Sequence, residues 1–554
     1  MANDHEIRIR LETLNEIGQA LSSVRDFDHL MERIAEAARA FTQADGVTFY
    51  RIRENRLAFD LLRNLSLGLY KGGSAGEPVD LPEIPLHHAD GNPNHSLVVA
   101  HAALTGNTVN VLDAYSEPGF DFSGTRAFDA RTGYRSQSFL TVPMKDHVGE
   151  VIGVLQLINA GGPDPGVRAF TDADQELVES LASQASIALN NRCLLEQMAE
   201  LFESLIKLIN TALDEKSPYT GGHCERVPEL TMMLAEAAVS IEEGPLADFT
   251  MSEADRYELK IAGLLHDCGK ITTPVHVVDK ATKLETLFDR IHLVDARIEI
   301  LLRDAQIAHL KGEIDAAALA ARTQQLEADR EFLRRANIGG EFMSDGDIAQ
   351  VQRIASQAWN DLDGSPRTLL SDEEAMNLSI RRGTLNAAER EVINNHIVMT
   401  IRMLEALPWP PHLRNVPEYA GGHHERMDGK GYPRGLKREQ MSVQARVMGI
   451  ADVFEALTAP DRPYKSAKTL SESIHILGNM KLGNHIDPDL FDVFLRERVY
   501  LRYAQRFLDP KQIDTIDWHR VPGVSAELAA FLSARDREDA WEMEGTRARG
   551  HEGT

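Results

Sequence analysis

Seven residues scattered between positions 223 and 452 constrain the fold of this chain more than any other feature: His223, His266, Asp267, His396, His423, His424 and Asp452. They stand in the strings GGHCERV, LLHDCGK, AEREVINNHIVMTIRML, HHERMDGKGYPRGL and ARVMGIADVFEALTAPDRPYK. Five imidazoles and two carboxylates make a mixed nitrogen and oxygen donor set. Such a set suits iron, manganese or zinc better than the all-oxygen sites of calcium or magnesium. Any one of these histidines, taken alone, is most simply a hydrogen-bonded core residue. Together they call for a fold that brings distant helices to one point. His266 and Asp267 are neighbours, about 100° apart on a helix, so they serve one centre only where a helix ends and the chain turns.

The 554-residue chain has 43% hydrophobic and 26% charged residues and a formal charge of −26. The composition allows sizeable cores in two to four domains. The acidic surface argues against nucleic acid and anionic membranes as partners and requires a local basic pocket for any anionic substrate. Cys193, Cys224 and Cys268 form no CxxC pair, and an odd count argues against a disulfide framework. The first residues are polar and amphipathic, unlike a signal peptide, and no apolar run reaches the roughly 18 residues of a membrane span. The expectation is a reduced, cytoplasmic protein.

Residues from about 7 to 40 read as helix, with Leu14, Ile17 and Leu21 at helical spacing. GVTFYRIRENRLAFDLL and FLTVPMKDHVGEVIGVLQLINA read as strand pairs, the second turning near Asp146–Gly149, and about 72 to 96 reads as loop. FTDADQELVESLASQASIALNN reads as a helix capped by Thr171, with Asp172 and Asp174 in its first turn. Leu194, Met198, Leu201, Leu205, Leu208 and Ala212 then follow at spacings of 4, 3, 4, 3 and 4, a coiled-coil seam that favours a parallel homodimer. From Asp214 the pattern is almost purely helical. Leu284, Leu287, Ile291, Val294, Ile298 and Leu301 repeat a heptad in a segment, 284–380, that holds no ligand cluster and reads as an inserted helical hairpin or arm, a spacer or dimer contact rather than catalytic. From about 535 the charged, glycine-containing sequence reads as a loose tail.

Two resemblances organise these pieces. The strand pair followed by FTDADQELVESLASQASIALNN, with ALTGNTVNVLDAY and FDARTGYRSQSFLTVPM before it, resembles a GAF domain, a small-molecule sensor fold. Of the signature of cyclic-nucleotide GAF domains, Asn159, Phe170 and Asp174 match, while Ala160 and Gln175 replace its Lys and Glu. The ligand stays open. No cysteine stands in the GAF body for a covalent bilin, and a haem held by His87, His88, His95 or His101 is a remote alternative to plain surface histidines.

HHERMDGKGYPRGL, with the histidine and aspartate strings, resembles the HD-GYP family, a branch of the HD metal phosphohydrolases. The expected architecture is a multidomain α+β protein. It comprises an N-terminal helix (1–24), a GAF sensor (25–190), a helical coiled-coil connector (191–213), an all-α HD-GYP domain (214–500) with the insertion 284–380, and a C-terminal extension and tail (501–554).

The resemblance implies a phosphodiesterase that hydrolyses cyclic di-GMP to pGpG, and in some members to GMP, under GAF control. The alternatives are cyclic GMP-AMP as substrate and a catalytically silent cyclic di-GMP receptor. It implies two divalent ions, iron or manganese: one on His223, His266, Asp267 and Asp452, the other on the bridging Asp267 with His396, His423 and His424. Two such ions lower the pKa of a water between them. Asp267 and Lys270 are the expected catalytic residues, and Lys270, Tyr432, Arg462 and Lys465 the expected substrate contacts. Asp428 and Glu425 are expected to orient ligand histidines through ring N–H groups. Tyr219 stands where some members carry a third-metal glutamate, which points to two metals; Asp214 and Glu215 are reachable only through a loop. Glu455 replaces the usual Asp, a change expected to shift metal preference or substrate placement.

Overall fold

A computed structural model of the chain describes residues 27–75, 77–161, 166–217, 222–340, 342–361, 363–459 and 467–550. Leu14, Ile17, Leu21, Tyr219, Arg462 and Lys465 lie outside the described residues. The chain divides into two compact units, Met1–Glu203 and Ser204–Thr554, with the division inside the expected connector.

The first unit is built on an antiparallel sheet: β1 (Gly46–Arg53), β2 (Arg56–Asn64), β3 (Leu69–Gly72), β4 (Ile84–Pro85), β5 (Val109–Val111), β6 (Phe139–Lys145) and β7 (Val151–Ile158). The order is β3-β2-β1-β7-β6-β5, with β4 paired to β2 inside the stretch expected to be loop. The β1–β2 turn places Glu54 and Asn55 at positive φ, the backbone of a tight hairpin that matches strand twist. At the β6–β7 turn the Asp146 carboxylate accepts from the Val148 and Glu150 amides, both at 2.9 Å. One core layer sets Ile34, Ala38, Phe49, Leu155, Leu181 and Ala185 together, so the helix Phe27–Thr42 and the start of the helix Asp172–Lys216 share it with the sheet.

The surviving signature residues have structural work here. Asn159, at positive φ, accepts from the Gln137 amide at 2.7 Å and donates to the Arg135 carbonyl at 2.8 Å. Asp174 accepts from the Thr171 amide at 2.9 Å, and Thr171 Oγ1 accepts from the Asp174 amide at 3.2 Å, a reciprocal cap at the start of Asp172–Lys216.

Among its described residues, the second unit is helical apart from one small hairpin, β8 (Ala358–Asn360) and β9 (Pro366–Thr368). Helices His223–Val239, Glu253–Leu265 and Val443–Thr458 pack together, and Ala387–Glu405 packs on Val416–Gly421. The insertion is more than an arm. Helices Ile291–Leu310 and Ala316–Ile338 form the expected hairpin, but Asp345–Ala355, the β8–β9 hairpin and Asp372–Leu378 complete a separate core. The heptad is corrected at one position: Leu287 is 93% exposed, because the helix starts only at Ile291, after an Asp289 side chain that accepts from the Ile291 amide.

The expected loose tail is corrected too. Residues Ala526–Gly550 are helical, anchored by buried Leu528, Ala529 and Leu532 and by the Trp518 indole donating to Asp536 at 2.7 Å. Among the described residues no helix is long and apolar enough to cross a membrane.

Candidate metal centre

Each of the seven donors sits on a helix or just past the end of one. His223 opens the helix His223–Val239, and Asp452 lies within Val443–Thr458, whose start is capped by Ser442. Glu253–Leu265 starts in a reciprocal Ser252–Asp255 cap and ends at His266. There the chain leaves α geometry, with Asp267 at φ −108° and ψ 8°, and tightens into the turn Cys268–Thr272. That break lets adjacent side chains face the same centre. His396 lies in the middle of Ala387–Glu405, and His423 and His424 follow Val416–Gly421 after its C-terminal cap, Gly422.

Gly269 makes the approach between these pieces possible. A Cβ there would stand 2.0 Å from the His396 carbonyl oxygen. Its amide donates to Thr400 Oγ1 at 3.0 Å, tying the Asp267 turn to the His396 helix.

The donors form two groups, His223, His266 and Asp267, and His396, His423 and His424. Asp267 lies between them. Its Oδ2 is 3.2 Å from His223 Nε2 and 3.3 Å from His266 Nε2, while its Oδ1 is 3.3 Å from His396 Nε2. Asp452 Oδ1 is 3.4 Å from His223 Nε2, and the Nε2 atoms of His396 and His424 are 3.2 Å apart. Two ligands each about 2.1 Å from one ion stand about 3.0–3.4 Å apart at right-angled to tetrahedral spacing, so these separations fit shared ions.

The hydrogen bonding fits as well. The Nδ1 atoms of His266, His396 and His423 point at the carbonyls of Gly263, Ile393 and Ala420, at 2.7, 2.5 and 2.6 Å. A carbonyl only accepts, so Nδ1 carries the proton and Nε2 is left with a lone pair. His223 Nδ1 is bonded to Glu455, which also accepts from Arg226 Nε at 2.7 Å. His223 Nε2, His266 Nε2, His423 Nε2 and Asp267 Oδ1 are buried with no hydrogen-bond partner. Buried polar atoms are normally satisfied, and four that converge are the arrangement a cation would complete.

Burial alone would neutralise these groups, and the partners decide otherwise. It opposes charge on Asp267, but Lys270 and His266 outweigh it and hold the carboxyl well below its usual range. Burial likewise opposes a charged His223, yet Asp267, Asp452 and Glu455 raise its pKa. For His424 burial wins and pushes the pKa down to about 4; for His423 burial, helped by His424, pushes it well below the ordinary value. Burial also pushes the Cys224 and Cys268 thiols up, to about 12 and about 11, so neither offers a thiolate.

Among the substrate-contact candidates, Lys270 is ion-paired to Asp267, and Tyr432 stacks on His424 with ring centroids 4.9 Å apart. Gly431 allows the GYP turn to close, since a Cβ there would meet the Arg426 nitrogen at 2.4 Å. Asp428 and Glu425 do not reach the histidine rings as expected. Asp428 pairs with Arg426, and Glu425 accepts from the Arg434 and Leu436 amides at 2.7 and 2.9 Å, so both brace the turn. Backbone carbonyls and Glu455 hold the rings instead. Asp214 lies near the end of Asp172–Lys216; its Oδ1 is buried without a partner, and burial pushes its carboxyl up.

Comparison with known proteins places these units. A GAF domain family model matches residues 26–189, and HD domain models match 220–338 and 372–490. The chain is 23% identical over 326 residues to the 3'3'-cGAMP-specific phosphodiesterase 3 of Vibrio cholerae, covering 59% of this chain and 44% of that protein. It is 30% identical over 223 residues to a cyclic di-GMP phosphodiesterase of Pseudomonas aeruginosa, covering 40% and 47%. Over 117 residues it is 33% identical to a cyclic di-GMP phosphodiesterase of Thermotoga maritima, covering 21% and 31%. The chain spans less than half the length of each of these relatives.

Proposed function

We propose that this chain, a GAF domain followed by an HD domain of the HD-GYP type, is a metal-dependent phosphodiesterase that hydrolyses cyclic di-GMP or a related cyclic dinucleotide. The observation that carries the reading is the convergence of four unpartnered buried donor atoms on the two sides of Asp267. In this reading His223, His266, Asp267 and Asp452 hold one divalent ion, iron or manganese, and Asp267, His396, His423 and His424 hold a second. The ions would supply Lewis acidity and a water of lowered pKa.

The protein's own groups do the rest. Lys270, which lines a cavity shared with His223 and Glu455, places a cation beside the phosphate. Tyr432 steadies His424 and contacts substrate, and Arg462 and Lys465 add cations from outside the described residues. Glu455 fixes the His223 ring. Products follow as the linear dinucleotide pGpG and, after a second cleavage, GMP.

The GAF domain regulates turnover through the helix Asp172–Lys216, which begins in the first unit and ends in the second. Lys216 there donates to the Lys270 and Ile271 carbonyls, beside the Asp267 turn. The exposed seam Leu194, Met198, Leu201, Leu205 and Leu208 supports pairing of two copies.

The test is to load purified protein with iron or manganese and assay it against cyclic di-GMP, cyclic GMP-AMP and simple nucleotides. Hydrolysis of a cyclic dinucleotide, lost in a His266→Ala, Asp267→Ala double variant, is the expected result. Tight binding without hydrolysis would leave the silent-receptor reading; hydrolysis of simple nucleotides alone would sink both.

A further inference from the structure

The insertion, expected to be a spacer, contributes to the cavity beside the metal centre. That cavity has a volume of about 320 Å³, at the lower end of the range for small-molecule sites. His223, Arg226, Lys270 and Glu455 form part of its lining. Another part comes from Ile338, Gly339 and Gly340, where the insertion's long hairpin ends, and from Gly383, Thr384 and Leu385, where the chain returns to the HD helices.

This second part is held firmly. Asn337, just before it, accepts at its carbonyl from the Lys283 amide at 2.8 Å and at Oδ1 from the Leu284 amide at 2.9 Å, and its Nδ2 donates to Asp289 at 2.8 Å. The Met343 amide donates to the Arg381 carbonyl at 3.0 Å, and Thr384 Oγ1 to the Lys280 carbonyl at 3.0 Å. Gly339 and Gly383 lie at φ 70° and 80°, and a Cβ on Gly339 would stand 2.8 Å from the Gly383 oxygen, so the two backbones are in contact.

The two parts of the lining differ in chemistry. Its charged side chains, Arg226, Lys270 and Lys280 with Asp279 and Glu455, come from the HD helices and turns, whereas the part formed by the end of the insertion's hairpin and by the return segment after the insertion is uncharged: three glycines, a threonine and two aliphatic side chains, with Ile338 52% exposed. An anionic group belongs with the first part. The second suits a flat heterocycle, with amide edges to bond it and aliphatic faces to cover it. We infer that the insertion forms the base-facing wall of the substrate cavity and sets which nucleobase is accepted, an inference that rests on the cyclic-dinucleotide reading above.

Gly340 is the place to test this. Its φ is not left-handed, and a Cβ there would meet nothing within 4 Å. The metal-loaded full chain is assayed with cyclic di-GMP, cyclic GMP-AMP and bis(p-nitrophenyl) phosphate, a diester without a base. Gly340→Trp is expected to lower kcat/KM for both dinucleotides at least ten-fold, chiefly through KM. Ile338→Ala is expected to change the ratio between the two dinucleotides at least three-fold. Both should leave the baseless diester within two-fold, and Leu310→Trp, at a site 84% exposed at the end of the helix Ile291–Leu310, should change none of the three.

GMP binding to chelator-treated protein gives a readout independent of turnover, and Gly340→Trp should weaken it at least ten-fold. An equal fall for all three substrates, or unchanged dinucleotide kinetics and GMP binding in both variants, overturns the inference. If circular dichroism shows that Gly340→Trp does not fold, Ile338→Ala decides. If the wild-type protein cleaves the baseless diester but neither dinucleotide, the substrate reading fails, and the effect of Gly340→Trp on GMP binding still decides the wall.

Discussion

The second unit holds two buried aspartates, Asp329 and Asp267, whose carboxylate oxygens are used differently. Around Asp329, in the helix Ala316–Ile338, both carboxylate oxygens are engaged: Gln325 and Gln357 each donate at 2.8 Å, and Arg353 pairs with both. Around Asp267, one carboxylate oxygen and three imidazole nitrogens have no hydrogen-bond partner although they are buried. The Asp329 carboxylate is closed by side chains of its own helix and of the segment 353–357, and ties the two together. The Asp267 cluster is closed only on its outer side, by backbone carbonyls and Glu455, and leaves its inner atoms for a ligand. Burial of a carboxylate does not separate a structural site from a functional one; the convergence of several unpartnered atoms on one point does.

Substitutions test that contrast. The His266→Ala, Asp267→Ala double variant should lose at least about 10³-fold in turnover and its bound metal, measured by plasma mass spectrometry; retained metal would break the comparison. Glu455→Gln keeps the size of the side chain but weakens the hold on His223, and should cost about 10–100-fold in metal affinity, read by chelator competition. Asp329→Ala should lower unfolding free energy by about 2 kcal/mol in denaturant titration while leaving metal content at wild-type stoichiometry. A loss of metal in that variant would mean that the two clusters are not independent.

A pH-dependent effect, remote from both aspartates, concerns Lys283, buried at the foot of the insertion, where Nζ donates to Met343 Sδ at 2.7 Å and the Leu378 carbonyl at 3.1 Å. Desolvation pushes its pKa down to about 8, against about 10.4 for an unfolded lysine. Between those values the unfolded chain binds more protons, so this group makes stability rise with pH from about 8 to about 10.4. Lys283→Met should remove that slope. Its stability advantage over the wild type should be largest below pH 8 and shrink above it, measured by urea denaturation at several pH values.

Much of the candidate centre was legible in the sequence, since His223, His266, Asp267, His423, His424 and Asp452 lie in short strings whose spacing follows from helix ends. His396 was legible as a helical match only, and the structure brings its Nε2 to 3.3 Å from Asp267. What holds the rings was not legible. The carbonyls of Gly263, Ile393 and Ala420 are available for any side chain, and only the backbone path aims an Nδ1 at them. Acidic residues next to histidines invited the expectation that Asp428 and Glu425 orient them, yet the GYP turn claims both. Glu455 was singled out for metal preference or substrate placement, and its hold on His223 could have been foreseen, because an acid three positions after Asp452 lies on nearly the same helix face. The lining role of Gly339, Gly340 and Gly383 leaves no side-chain signal at all.

The insertion's foot also bears on the order in which the chain can assemble. Lys283 and Leu378, 95 residues apart, are joined by a hydrogen bond, while Gly269 and Thr400, 131 residues apart, join the two halves of the donor set. Once the insertion's own core has formed, the loop that must close to unite those halves shrinks to roughly a quarter of its contour. That lowers the entropic cost of closure by about 1 kcal/mol. A segment that separates two parts of one centre by more than a hundred positions thus acts, once folded, as a short bridge between them.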